Sequence, residues 1–400
     1  MLFLLFGLFF VFFLSIIFTR NLFHPAVVIS ALWFIVIVGF VFLAEKYEMK
    51  KLSFETASLF LYWTCGFSFS ALIVSKHKYH IFNLINNEPN FNFMRLLYPF
   101  VLISNVIFLV LIFILLGNGF SISSFALIRK NFVEDIPPIL KIFYLFNTFS
   151  VAYYFLCVQY YGKVLSKNKF ILLSIILLVL SVMKMTKTVF FMLFFALLII
   201  LYNKKKLSLR KIFLMAIVFV LLIIGLAFLR GDKGSIQDFT IMKYIVWYLC
   251  SSVAALNVVI SESLPLPRAT FGGHVFRVFY AILAVIGLHF EETGFYGPWL
   301  YVPFPTNVFT VIAPYYVDFD VIGVVIFSII VGIWYGYIYS FVKRKNAFFT
   351  VYYAVLFYTL VMEFFSDYHF YIFTVFVQYF LFLLVCYMPN KKLKYIFSIN

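Results

Sequence analysis

The residues best suited to chemistry are crowded between positions 230 and 320. Arg230, Asp232 and Lys233 close an apolar run in Phe-Leu-Arg-Gly-Asp-Lys-Gly. Arg268 and His274 follow in Leu-Pro-Arg-Ala-Thr-Phe-Gly-Gly-His, and then Arg277. His289, Glu291, Glu292 and Tyr296 lie in His-Phe-Glu-Glu-Thr-Gly-Phe-Tyr-Gly. Thr306 and Asn307 follow Pro305, ahead of Tyr315, Tyr316, Asp318 and Asp320. Arginine grips phosphate oxygens in pairs, and lysine offers a point charge. A carboxylate or a histidine can take the proton of an attacking hydroxyl. Asparagine and tyrosine suit a sugar, which presents hydroxyls and an apolar face. Arg230, Lys233, Arg268, His274, Arg277, Thr306, Asn307 and Tyr315 are therefore candidate substrate ligands, and Asp318, Glu292 and His289 candidate bases.

Each of these residues has a plainer reading. Arg230 and Lys233 can anchor a helix end at a lipid boundary. Gly272 and Gly273 suit a turn, and Asp318 and Asp320 suit the N-terminus of a helix. Arg129, Lys130, Glu134 and Asp135 form either a second wall of the same site or a solvated loop. Only the concentration of reactive types in one segment favours function. No phosphate-binding glycine loop, dinucleotide fingerprint or His-Glu-x-x-His pattern occurs, so neither ATP nor a metal or other cofactor is expected. The four cysteines show no Cys-x-x-Cys spacing and read as apolar packing residues.

The elements that must position this segment are membrane helices. Of 400 residues, 65% are apolar and 12% charged, against roughly 45–50% and 25% in soluble domains. That balance excludes a soluble enzyme, and it excludes disorder. The net charge of +16 is scattered over short loops, which argues against a nucleic-acid face. A span needs about 20 apolar residues. About eleven (10–12) candidates lie near 2–18, 26–44, 55–75, 97–117, 138–161, 170–183, 189–202, 212–229, 320–342, 346–363 and 371–388. The expected fold is an all-α polytopic integral membrane protein. Its parts are an N-terminal bundle (1–229), a large loop (230–319), and a C-terminal bundle with a basic tail (320–400). Lys184 and Lys187 read as snorkelling lysines in a tight turn. The stretches Tyr244–Ile260 and Val275–Leu288 read as re-entrant or interfacial helices.

Short basic loops stay in the cytoplasm. One alternating set of loops holds 18 of the 31 basic residues and a single acid, Glu88. The C-terminus is then cytoplasmic, and the 230–319 loop faces outward. Asp367 and His369 fall in the last outward turn. Few charges fall within spans, which gives an ion pathway little support.

The passage Pro-Thr-Asn-Val-Phe-Thr-Val-Ile-Ala-Pro-Tyr-Tyr-Val-Asp-Phe-Asp-Val-Ile-Gly-Val-Val at 305–325 resembles the close of the large periplasmic loop in O-antigen polymerases, the Wzy-type oligosaccharide repeat-unit polymerases. The earlier Arg-Gly-Asp and the Thr-Phe-Gly-Gly at 270–273 also fit. The resemblance implies a metal-independent glycosyltransferase of membrane C-type architecture in the bacterial inner membrane. It implies undecaprenyl-pyrophosphate-linked oligosaccharides as substrates, membrane lipid as surroundings, and a chain-length regulator and a flippase as partners, with no nucleic acid. Two patterns depart from it. Arg277 precedes Gly287 by one residue fewer than the family's Arg-x10-Gly spacing, and Thr306-Asn307 stands where related ligases carry a histidine. A lipid-linked oligosaccharide flippase and an O-antigen ligase are the alternative readings.

Overall fold

The computed structural model describes residues 2–79, 88–116, 127–128, 136–184, 187–229, 240–264, 271–288 and 297–387. Helices dominate them. In chain order they are α1 (Leu2–Thr19), α2 (Pro25–Leu43), α3 (Phe54–Lys76), α4 (Phe91–Leu116), α5 (Pro138–Gln159), α6 (Lys167–Met183) and α7 (Lys187–Asn203). There follow α8 (Leu209–Leu229), α9 (Ile241–Ser261), α10 (Arg277–Val285), α11 (Ile312–Val342), α12 (Ala347–Val361) and α13 (Phe373–Tyr387). A two-residue antiparallel pair, β1 (Leu300–Tyr301) with β2 (Pro305–Thr306), is the one sheet among the described residues.

Local sequence explains where several helices begin. Pro25 supplies the first helical position of α2, and the His24 ring accepts the Ala26 amide at 3.2 Å. Ser53 caps α3 by accepting the Thr56 amide at 3.1 Å, and Thr240 caps α9 through the Lys243 amide at 3.2 Å. Eight helices among the described residues are long and apolar enough to cross a membrane. The chain thus has the make-up of a polytopic membrane protein.

Every expected span coincides with a helix. The stretch Tyr244–Ile260 lies within one continuous helix, 241–261, whose length and composition also meet those of a span. By contrast α10 has nine residues, about 14 Å of helix, too short to cross.

Two compact units emerge. The first comprises Met1–Lys78, Ser235–Phe341 and Thr359–Thr374; the second comprises Tyr79–Gly234, Val342–Tyr358 and Val375–Asn400. In the first, α3 and α11 meet at small residues. A Cβ added at Gly336 would lie 2.7 Å from the Ala71 carbonyl oxygen, one at Gly332 would strike the Phe67 backbone, and one at Gly66 would strike Ser328. The Gly-x-x-x-Gly pair on α11 therefore permits near backbone contact with α3. α11 kinks at Asp320, whose φ of 58° and ψ of −155° leave the helical region.

The second unit has an apolar core of Phe108, Ile112, Ile128, Leu140, Leu180 and Met183. Beside it runs a buried polar ladder. Lys184 Nζ donates to Asn147 Oδ1, Asn147 Nδ2 donates to Asn105 Oδ1 at 2.8 Å, and Asn105 Nδ2 donates to Ser150 Oγ at 2.6 Å. Snorkelling was expected of Lys184 and Lys187, and both are buried instead, at 5% and 6% exposure. The Lys184 ammonium sits 4.5 Å from the Tyr144 ring centre and 5.4 Å from that of Phe108. Rings and an amide replace the headgroup water that a snorkelling lysine would reach.

Candidate functional site

All the described candidate residues lie in the first unit, on the segment from 271 to 320. Residues 271–275 form a turn. Gly272 carries φ of +66°, and a Cβ there would meet the Phe276 ring at 2.5 Å, so the turn needs glycine. Asp318 holds this turn from α11: its Oδ2 accepts the backbone amides of His274 at 3.0 Å and Val275 at 2.9 Å. His274 is thereby fixed in place, half-buried, three residues before Arg277 opens α10. The Arg277 guanidinium lies over the Tyr371 ring, 4.8 Å from its centre.

Thr306, Asn307 and Tyr315 are engaged within the protein. Thr306 is buried, and its hydroxyl accepts the Val308 amide at 3.4 Å in a local turn. The carbonyl of Asn307 accepts the Gly297 amide at 3.0 Å. The Trp247 indole on α9 donates to the Pro305 carbonyl at 2.9 Å. Tyr315 is fully buried, stacked between Trp63 and Phe327 with ring centres 5.1 Å away on each side. Its hydroxyl approaches Asp367 without reaching hydrogen-bond geometry. Arg230, Lys233, Arg268, His289 and Glu292 lie outside the described residues, as do Asp232, Glu291 and Tyr296.

Next to this segment the structure contains a buried network that sequence reasoning overlooked. Glu363 stands in a single 3-10 turn after α12 and is fully buried. Its Oε2 accepts two indole N–H groups, from Trp33 at 3.1 Å and Trp63 at 2.8 Å. Its Oε1 pairs with His369 Nε2 at 2.9 Å. The other ring nitrogen of His369 faces the Tyr335 hydroxyl at 3.5 Å, and that hydroxyl is bonded to Thr359. Asp367 Oδ1 accepts the His369 amide at 2.8 Å. Burial pushes the Asp367 carboxyl above its usual range, against the lowering influence of His369. The strand-like piece 310–311 is laced to the same turn, with the Val311 amide donating to the Glu363 carbonyl at 2.8 Å and that of Thr310 to the Phe365 carbonyl at 3.3 Å.

An aromatic layer joins the two sets. Phe327 packs on Phe276 at 6.0 Å, Phe319 at 5.7 Å and Phe370 at 5.4 Å between ring centres. One signal for the network was present in the sequence: a carboxylate ending the apolar run Leu-Val-Met-Glu-Phe-Phe, and ionisable groups at such places are usually functional or paired. Nothing in the sequence marked Trp33 or Trp63 as its partners. Asp367 and His369, expected in an outward turn, are each 4% exposed.

Among the described residues, no group of three or more His, Cys, Asp or Glu is placed to hold a metal ion. The arrangement places a guanidinium, a half-buried histidine and a buried carboxylate–imidazole pair in one unit.

A bundle of apolar helices enclosing an acid–histidine network, and capped by a segment bearing arginine and histidine, defines a polytopic membrane protein with polar chemistry in one unit. No family model matches the chain, and no solved structure matches it. Over 354 residues, covering 85% of each chain, it is 25% identical to an O-antigen polymerase of Shigella dysenteriae.

Proposed function

We propose that the chain is a polysaccharide polymerase of O-antigen synthesis, or of a similar surface polysaccharide. The observation that carries this reading is the similarity to an O-antigen polymerase along 85% of both chains. It is supported by the crowding of anion-binding and proton-accepting groups on one segment of an otherwise apolar protein. The proposed substrates are oligosaccharide repeat units linked to undecaprenyl pyrophosphate, presented on the periplasmic face of the inner membrane. The growing chain is the donor. A hydroxyl of the incoming unit attacks its anomeric carbon, the bond to the pyrophosphate oxygen breaks, and the lipid pyrophosphate departs.

Arg230, Lys233, Arg268 and Arg277 would neutralise the charge growing on that leaving group, an electrostatic contribution that is usually large in catalysis. Asp318 spends Oδ2 on two backbone amides, so we assign it to holding the turn that carries His274. The proton acceptor is then His289 or Glu292. Membrane lipid surrounds the enzyme, and a chain-length regulator and a flippase are its proposed partners.

The test is the lipopolysaccharide ladder of a deletion strain. A polymerase null leaves core plus one repeat, a ligase null leaves core without attached sugar, and a flippase null accumulates lipid-linked units on the inner face. Returning the gene with Arg230→Ala or Arg268→Ala should leave the single-repeat band and remove long chains. Long chains in both variants would refute the role given to these arginines.

A further inference from the structure

The hairpin of β1 and β2 is small and firmly braced. Leu300 pairs with Thr306 and Tyr301 with Pro305, and the Val302 amide donates to the Phe304 carbonyl at 3.1 Å. The Trp247 indole on α9 holds the Pro305 carbonyl at 2.9 Å. The Gly297 amide donates to the Asn307 carbonyl at 3.0 Å, and a Cβ at Gly297 would run into the buried Phe309 ring. From 299 to 302 the exposure alternates. Leu300 and Val302 are half-buried, while Trp299 and Tyr301 are 62% and 77% exposed. That is the two-residue period of extended chain, so the two rings share the outward side.

This backbone does not belong in hydrocarbon. A two-residue pair leaves open edges, and lipid tails offer their amides and carbonyls no partner. The connection between α2 and α3 meets the hairpin where the Tyr47 ring centre lies 6.2 Å from that of Phe304. It carries Glu45, Lys46 and Glu48, all exposed, and the Lys46 ammonium sits 5.8 Å from the centre of the Tyr47 ring. A lipid layer or a second copy of the chain would ask for an unbroken apolar patch. A pyranose asks for the mixture found here. Its C–H face is apolar and slightly positive, which suits the negative face of an aromatic ring, and its hydroxyls exchange hydrogen bonds with ammonium and carboxylate groups. Rings held on a braced hairpin lose little freedom on binding. We propose that Trp299 and Tyr301 form a stacking platform for sugar rings of the growing polysaccharide. This inference rests on the polymerase reading and deepens it with a subsite that grips the glycan, where the arginines were assigned to its pyrophosphate.

The experiment uses the full chain purified in detergent. Its probe is the polysaccharide released by mild acid from the parent strain's lipopolysaccharide and labelled at its reducing end. Affinities are compared for wild type, Trp299→Leu, Tyr301→Leu, the double Leu variant, Trp299→Phe and Tyr301→Phe. Leucine keeps apolar bulk without a ring, and phenylalanine keeps a ring. Each Leu variant should bind about 2- to 13-fold more weakly, the range of one aromatic contact, and the double variant more weakly than either. The Phe variants should bind like wild type, and all should melt like wild type, because both side chains are exposed. Leu variants that bind like the Phe variants would overturn the inference; a drop in melting confined to lipid nanodiscs would then mark the rings as headgroup anchors. Equal weakening by Phe and Leu, with a matching drop in melting temperature, would make both residues structural and overturn it as well. A wild-type protein that ignores the polysaccharide, while its gene restores long chains to the deletion strain, would remove the platform and leave the polymerase reading standing. A gene that restores no long chains would instead remove the polymerase reading.

Discussion

Replacing Glu363 by alanine should destabilise the protein far more than replacing it by glutamine. The carboxylate is fully buried and receives three donors: Trp33 at 3.1 Å, Trp63 at 2.8 Å and His369 at 2.9 Å. Alanine strands two indole N–H groups and an imidazole in a fully buried site, at about 1–3 kcal/mol for each buried group left unpaired. Glutamine keeps an oxygen for both indoles and can donate its amide to His369 once the imidazole takes the tautomer with Nε2 unprotonated. It loses only the charge, so the cost should fall to about 1–2 kcal/mol, the difference between charged and neutral hydrogen bonds. Thermal unfolding in detergent, followed by tryptophan fluorescence, reads this directly, because Trp33 and Trp63 are two of the five tryptophans. The alanine variant should melt several degrees below the glutamine variant. A His369→Ala change should cost less in the Glu363→Ala background than in wild type, since the two share one interaction. Equal melting of the alanine and glutamine variants, or simple additivity with His369→Ala, would show that the carboxylate is not the hub of the network.

Two other perturbations test the packing. Burial lowers the Lys184 ammonium to a pKa of about 7, from 10.5. Between those values the unfolded chain holds a proton that the folded chain lacks, so stability should rise with pH across that window, by up to about 5 kcal/mol in the limit of full conversion. Lys184→Met should flatten the rise, and melting temperatures at pH 7 and pH 9.5 compare the two; an unchanged slope would mean that the lysine is charged when folded. Gly336→Leu should force α11 off α3, where even a Cβ would lie 2.7 Å from the Ala71 carbonyl oxygen. The expected sign is a marked loss of folded protein on size-exclusion chromatography, with Gly336→Ala milder, and a Leu variant that elutes and melts like wild type would contradict the close approach.

Much of the helical framework was legible because apolar runs of membrane length leave little choice of structure. No break in α11 was expected, although the expected span began at 320, where the kink falls. The character of 241–261 was less legible. The stretch reads as a re-entrant or interfacial helix, and the sequence gives no sign that Tyr244 is buried or that Trp247 donates to the Pro305 carbonyl inside the unit. The reactive segment could be located by composition, because charged and polar types have no other reason to gather there. Its internal bonding could not. Asp318, a candidate base, accepts two backbone amides through Oδ2, and nothing in a linear pattern announces that bonding. The Glu363 network was hidden for a related reason: Trp33, Trp63, Glu363 and His369 come from three distant stretches, and tryptophan and tyrosine are too common in such a chain to signal a partner. Lys184 was misplaced because a cation beside a short span usually reaches headgroups, and only the fold brings Tyr144, Phe108 and Asn147 around it.

The corner at Asp320 also bears on how α11 fits a bilayer. A straight helix of 31 residues would measure about 46 Å, well beyond a hydrocarbon layer of about 30 Å. Turning the chain at 320 leaves 321–342, about 33 Å long, which is long enough to cross that layer. Gly323 keeps the bend tight, since any larger side chain there would collide with the Tyr315 carbonyl. The eight residues before the bend are therefore released from spanning altogether, so Tyr315 and Asp318 can serve the segment they came from while the rest of the same helix answers to lipid.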